Sequence, residues 1–349
     1  MKKVEYYLSA NKKWIRDLAD AMSEDSGETV EIRDNKLVFP AAYAEGVFEY
    51  YELEDGMFLC LIDCRFLKGI EFTRNEVKSN DYFSLHVNLS VSRINIVKDS
   101  GRELDIGSDW KNAVLFSSTG TSLSLAVPPG GTLKAVQIIV SRNWIRQRYH
   151  ASDLPVDVEI VRSVAKDIPI QFTVDLDLEI LGLGEEMLAP ELLHYARPLF
   201  LEGNTKRIIA LFTRNMVEER SNLARKDEAD TSLRLGDAIK VMNMKEQIEF
   251  DLSQEIAPIS ELAKECMMSK TKFSEIFRQI YNKSFYDLVL EMKMSEATKL
   301  LSSGLSVTEV ATSIGYSNLG HFAKAFKSFF NITPKAYQLA KRDKRRVKP

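Results

Sequence analysis

The stretch ISELAKECMMSKTKFSEIFRQIYNKSFYDL (259–288) returns in altered form as VTEVATSIGYSNLGHFAKAFKSFFNITPKAY (307–337). Glu261 aligns with Glu309, Ala263 with Ala311, Cys266 with Ile314 and Ser269 with Ser317. After one inserted residue, Phe277 aligns with Phe326, Tyr281 with Phe330 and Asn282 with Asn331. A self-match at 48–49 residues means one supersecondary unit used twice.

Each copy has the grammar of a helix–turn–helix. A short first helix, about 259–266, turns Ile259, Leu262, Ala263 and Cys266 inward, and the small Ala263 and Ala311 let two helices approach closely. A tight turn follows at Met267–Met268, matched by Gly315–Tyr316. Ser269 and Ser317 stand where an N-cap belongs, because a serine oxygen accepts the orphan N–H groups of the next helix. The second helix keeps Phe273, Ile276, Phe277 and Ile280 on one side, and Phe322 and Phe326 with Phe329 or Phe330 in the other copy. Asn282 and Asn331 fall where these helices stop, and asparagine tolerates the left-handed conformation of such an end. Ser284–Asp287 and Ser306–Glu309 read as capping boxes or near versions, and Thr333–Pro334 as a capped start.

Phe285, Leu288, Val289, Met292, Leu300 and Leu301 predict one helix between the copies, ending at Gly304. About 18 residues at ~1.5 Å each give roughly 27 Å. Successive major-groove faces on one side of B-DNA lie about 34 Å apart. With the offset of the two units, such a spacer places both second helices in adjacent grooves, so a single chain reads a two-part site.

Residues 250–340 resemble the AraC/XylS family of bacterial transcription regulators through ELAKECMMSKTKFSEIFRQ, LLSSGLSVTEVATSIGYSN and HFAKAFKSFFNITPKAY. The resemblance implies a seven-helix double helix–turn–helix domain controlling nearby genes. By position on the family pattern, Thr271, Ser274 and Glu275 match base-reading positions of the first recognition helix, and Leu319, Gly320, His321 and Lys324 those of the second. The candidate DNA-binding set is Lys270, Thr271, Lys272, Ser274, Glu275 and Arg278, with Asn318, Leu319, Gly320, His321, Lys324 and Lys327. Lys293 and Gln338 replace common arginines and Asn282 and Asn331 common glycines, so two possible bidentate contacts are lost. Leu319 and Gly320 offer no side-chain hydrogen bond, which leaves readout of the second groove weak or methyl-directed.

The first half follows a different period. Between about Glu28 and Asp175, short β-branched and aromatic runs predict strands at Thr29–Ile32, Val47–Glu52, Met57–Phe66, Tyr82–Val91, Ser122–Val127, Leu133–Val140 and Ile168–Val174. Phe83, Leu85, Val87 and Leu89 share one face; Ser84, His86, Asn88 and Ser90 share the other. Turn signals at 54–56 and 127–131 complete a sandwich or barrel pattern, preceded by a helix carrying Trp14, Ile15, Leu18 and Met22. From about Gly184 the period turns helical through Leu192, Leu193, Leu199, Ile208, Phe212, Met216 and Val217, a stripe that either pairs with a second subunit or packs back on the barrel. The charged run after Asn222 suits a linker or a solvated helix. This half resembles loosely the family's regulatory domains, a cupin-like barrel followed by dimerising helices. EGVFEYYELEDGMFLCLIDCRF and LEGNTKRIIALF resemble the siderophore-responsive branch, from which no ligand is named.

The expected architecture is therefore α+β: a β-rich regulatory domain over 1–183, a helical dimerisation or interdomain segment over 184–221, a linker over 222–245 and the all-α double helix–turn–helix over 246–349. Charge agrees with that division. The chain carries 47 basic and 50 acidic residues, but from Glu246 onward there are 16 Lys and Arg against 12 Asp and Glu, a local +4 that leaves −7 for the front. From Lys324 onward there are nine basic residues and one acid, so the rear is the part suited to a polyanion.

Other classes fit poorly. Three cysteines, Cys60, Cys64 and Cys266, make neither a disulfide framework nor a four-cysteine zinc site, and suit a reducing cytoplasm. No apolar run approaches the ~20 residues of a membrane span. His86 and His150 are too few for a cupin metal centre, and Glu185–Glu186 read as helix N-terminal charges. No nucleophile elbow or phosphate loop is present. The expectation is a cytoplasmic, non-enzymatic DNA-binding regulator with no cofactor, metal or catalytic residue. Its partners are double-stranded promoter DNA, a small-molecule effector at an unassigned site, RNA polymerase if it acts as an activator, and a second copy if the helical stripe forms a homodimer, with no membrane. The alternative is an enzymatic or metal-binding barrel targeted by a DNA-binding tail.

Overall fold

The structure, a computed structural model, describes residues 2–8, 13–90, 94–98, 103–106, 112–149, 159–189, 196–222, 228–254 and 256–339. It divides into two compact units, Met1–Gly236 and Asp237–Pro349. Expectations for Val91, His150, Leu192, Leu193 and the tail 341–349 lie outside the described residues.

The N-terminal unit runs through β1 (Lys2–Tyr6), α1 (Lys13–Ser26), β2 (Glu31–Arg33), β3 (Lys36–Val38), β4 (Ala44–Glu54), β5 (Met57–Phe66) and β6 (Ile70–Arg74). It continues through β7 (Tyr82–Asn88), β8 (Ile94–Lys98), β9 (Glu103–Ile106), β10 (Val114–Ser118), β11 (Leu123–Val127) and β12 (Thr132–Ser141). Then come α2 (Arg142–Arg148), α3 (Glu159–Lys166), β13 (Gln171–Val174), α4 (Leu178–Leu188) and α5 (Arg197–Asn222). Two sheets form, β1-β6-β11-β8-β9 and β13-β10-β7-β12-β5-β4-β3-β2. β1 joins β6 in parallel, and the other recorded pairings are antiparallel.

The sheets face each other, and what lies between them is partly polar. Ser84 and His86 of β7 and Gln137 of β12 share a cavity of about 50 Å³ with Phe72 and Leu125 of the smaller sheet. The polar side of β7 is thus buried, and its apolar side is covered by helices. Arg74 of β6, 1% exposed, spans the interior: Nη1 donates to Ser117 Oγ at 3.0 Å and Nη2 to Thr121 O at 3.1 Å and Ser118 O at 3.2 Å. Burial pulls its pKa down.

His86 is held neutral there, its pKa lowered to about 4 by burial and then by Arg74, and its Nε2 has no hydrogen-bond partner among the described residues. Because the folded pKa lies below the unfolded one of about 6.5, the unfolded chain takes up the proton first and stability falls as pH drops through that window. Between pH 7 and pH 4 this group is expected to cost on the order of 3 kcal/mol. Urea unfolding of His86→Gln across that range checks it. The variant should lose less stability than the parent, and parallel losses would contradict the assignment.

The helical stripe packs back on its own domain. Phe212 of α5 stacks on Phe116 of β10 at 5.5 Å between centroids and lies 6.2 Å from Phe172 of β13. Ile208, Leu211 and Met216 are buried, whereas Leu199 is exposed. The helical region also starts earlier than Gly184: Asp177 caps α4, its Oδ1 accepting from Ile180 N at 2.8 Å. Glu185 is therefore no helix N-terminal charge. It lies late in α4, is buried, and pairs with Lys134 of β12 at 2.7 Å. Gly184 lets α4 pack closely on Leu89, the residue after β7, since a Cβ there would meet Leu89 Cδ1 at 2.6 Å. Cys60 and Cys64 are free and buried, and burial pushes both thiols up.

The proposed linker is largely helical, within α6 (Glu228–Phe250). Ala238, Val241 and Met242 are buried, so the C-terminal unit begins at Asp237 rather than Glu246. The unit continues with α7 (Ile259–Glu265), α8 (Lys270–Tyr281), α9 (Phe285–Ser303), α10 (Val307–Ser313) and α11 (Leu319–Phe330), and the chain is helical again over 334–339.

Candidate nucleic-acid interface

Both repeats fold as two helices joined by the same turn. In the first, Met267 takes φ +56° and Met268 N donates to Ala263 O at 2.9 Å. In the second, Gly315 takes φ +76° and Tyr316 N donates to Ala311 O at 2.9 Å. The alanines occupy equivalent places as backbone acceptors and as buried small residues. Ser269 Oγ accepts from Lys272 N, capping α8. The second copy departs from the serine expectation: Asn318, not Ser317, caps α11, its Oδ1 accepting from Gly320 N at 2.7 Å and His321 N at 3.2 Å. Asparagine reaches two N–H groups from that place. A Cβ on residue 320 would lie 3.1 Å from the capping oxygen, so Gly320 makes room for the cap. Asn282 (φ +51°) and Asn331 (φ +60°) end α8 and α11 in the left-handed region.

One side of each second helix is consumed by a core. Phe273 and Phe277 stand 5.9 Å apart and meet Phe285 of α9 at 6.0 and 5.4 Å. Phe322 and Phe326 join Met294, Ala297 and Leu301 of α9 with Val310, Ala311 and Ile314 of the second unit. α9 therefore belongs to both cores. Its 19 residues, capped by Ser284 and by Gly304 at φ +109°, form a spacer of about 28 Å.

The opposite sides are open. Lys270, Thr271, Glu275 and Arg278 are exposed on α8, and Leu319, Gly320, His321, Lys324 and Lys327 on α11. Lys270, Arg278, Lys324 and Lys327 make no ion pair among the described residues, leaving four cations on these faces without a recorded carboxylate. Besides the capping Asn318, two candidates are engaged elsewhere. Lys272 is ion-paired with the buried Asp237 of α6, and Ser274 is half-buried with its Oγ donating to Lys270 O at 2.9 Å. Gln279 and Ser328 are exposed as well, one helical turn beyond Glu275 and Lys324. Continuing the four-residue spacing would have found them.

Lys293 and Gln338 are framework residues, not lost contacts on the open faces. Lys293 is 8% exposed, with Nζ 5.6 Å from the centre of the Tyr316 ring, and burial lowers its pKa. Gln338 Nε2 donates to Leu305 O at 2.6 Å, tying the last helical segment to the start of the second unit.

Among the described residues no three His, Cys, Asp or Glu converge as a metal centre requires, and no helix is long and apolar enough to cross a membrane. The model of the regulatory protein PchR N-terminal domain matches residues 45–227, and a helix-turn-helix domain model matches 262–340. The chain belongs to the AraC/XylS family of transcription regulators. Within that family it carries an N-terminal domain of the PchR type. It is similar to the Msm operon regulatory protein of Streptococcus mutans, 31% identical over 81 residues, covering 23% of this chain and 29% of that protein. It is also similar to the transcriptional regulator AlkR of Acinetobacter baylyi, 32% identical over 81 residues, covering 23% and 26%. The chain thus spans less than a third of either relative. A solved structure, the C-terminal domain of the response regulator yesN of Fusobacterium nucleatum, is 26% identical over 28% of this chain and 95% of its own, with a TM-score of 0.27.

Proposed function

We propose that this family member binds promoter DNA sequence-specifically from the cytoplasm and regulates transcription in response to a small molecule held by its N-terminal unit. The reading is carried by one observation: two equivalent helix–turn–helix units, joined by a single stiff helix, each bury one side of the second helix and leave the other open and cationic. α8 and α11 enter successive major grooves, about 34 Å apart on one side of the duplex. Glu275 accepts from cytosine N4, Thr271 and Leu319 contact thymine methyls, and His321 bonds to a base edge. Lys270, Arg278, Lys324 and Lys327 meet phosphates. Lys272, held by Asp237, and Asn318, whose oxygen caps α11, set the helices in place. The chain acts as a regulator and not as an enzyme. Acting as an activator would make RNA polymerase a further partner. A homodimer through α5 would use its exposed edge at Leu199.

Selection of genomic fragments by the purified chain tests this. It should enrich a two-part motif, and Glu275→Ala and His321→Ala should each relax preference at different positions, by about 1–3 kcal/mol. Enrichment of no sequence, or the same motif from both variants, would overturn it.

A further inference from the structure

A cavity of about 270 Å³ lies on the outer side of the larger sheet, apart from the small space between the sheets. Its floor is Leu85, Phe116, Ile138 and Val140, and α2, α3 and α5 roof it. The lining is predominantly apolar and carries four ring systems, Phe116, Trp144, Tyr149 and Phe212. An apolar cavity of about 150 Å³ accepts a benzene ring, so this one has room for two fused rings.

The polar groups of the lining decide the rest. Trp144 Nε1 donates to Glu54 at 2.6 Å. Thr213 Oγ1 donates to Ile209 O at 2.8 Å, so the 2.9 Å contact with Tyr149 uses the tyrosine O–H. Those three donors are spent. Arg146 uses Nη2 for Val164 O at 3.1 Å, has further N–H groups, and pairs with no carboxylate among the described residues. A molecule entering here meets stacked rings, an apolar floor and one cation.

We infer that this cavity is a binding site for a flat, two-ring organic monoanion, its rings against the Phe116–Phe212 stack and Trp144 and its acid group on Arg146. The site deepens the small-molecule half of the proposed function and rests on it for its biological sense. It also places the ligand against Ile209, Phe212 and Met216 of α5, the helix that leads toward α6 in sequence.

Titration calorimetry of the full chain with 2-naphthoate, and with 2-naphthalenemethanol as its uncharged counterpart, tests the assignment. The parent should bind naphthoate saturably and the alcohol more weakly. Arg146→Gln should weaken naphthoate about tenfold or more and leave the alcohol unchanged. Ile209→Trp, which fills the cavity, and Ala165→Trp, which blocks it from an exposed position, should abolish both. No saturable binding up to about 1 mM, binding indifferent to both tryptophans, or binding indifferent to Arg146→Gln would each overturn it. DNA retention measured without probe separates the two readings. A chain that binds naphthoate as described but holds no DNA sinks the regulator reading and leaves the cavity assignment standing. One that holds DNA but no probe sinks the cavity assignment alone.

Discussion

Gly315→Ala is expected to destabilise the C-terminal unit by at least about 2–3 kcal/mol. Two independent effects add. Residue 315 has φ +76°, where an L side chain is disfavoured by about 1–2 kcal/mol. A Cβ would also lie 2.5 Å from Ser253 O, a backbone atom that cannot turn aside like a flexible side chain. The first repeat provides an internal control. Met267 holds the equivalent turn at φ +56° with 78% exposure, so its side chain adds little to the core while straining the backbone. Met267→Gly should therefore be neutral or stabilising by up to about 1 kcal/mol, the relaxed φ being offset in part by a freer unfolded chain. Urea unfolding of both variants measures the asymmetry. Equal effects, or an unperturbed Gly315→Ala, would show that the two turns are not the same device under different loads.

Removing both Lys324 and Lys327 is expected to weaken binding to every DNA sequence alike, by on the order of 10–100-fold near 0.1 M salt. Each lysine that meets a phosphate releases a counterion, so the slope of log K against log salt should fall by about 0.9 per residue. Both are exposed on α11 and unpaired among the described residues, so truncation leaves no buried charge behind. The fold should stand. Glu275→Ala and His321→Ala differ in kind, changing which sequence is preferred and not the salt slope. Binding isotherms at several salt concentrations separate the two classes. A double lysine variant with an unchanged slope would mean that α11 does not face the phosphate backbone.

The C-terminal unit is legible in the sequence because its signals are local. Ser269, Asn282, Ser306 and Asn331 are caps recognisable within four residues of what they cap, and duplication shows each turn twice. The same locality explains the error at Ser317. Serine and asparagine both cap, and two adjacent candidates leave the choice to tertiary geometry. The N-terminal unit depends on long-range pairing. β5 keeps the bounds its composition indicates, but β1 pairs in parallel with β6 across more than sixty residues, which no local period reveals. Alternation divided the faces of β7 correctly while giving no sign that Ser84 and His86 would be the side turned into the space between the sheets. Polar side chains enter such an interior where partners wait. Arg74 with Ser117 and Gln137 with Ser84 meet across 43 and 53 residues. The ion pair of Lys272 with Asp237 is of the same kind, and alters which residues of α8 are free to meet a ligand.

Chemical footprinting of the full chain on a selected DNA fragment tests the account most directly. Protection should fall in two major-groove segments, about 10 base pairs apart and on one face of the duplex. Protection of a single segment, or of two segments on opposite faces, would contradict the paired reading of DNA by α8 and α11.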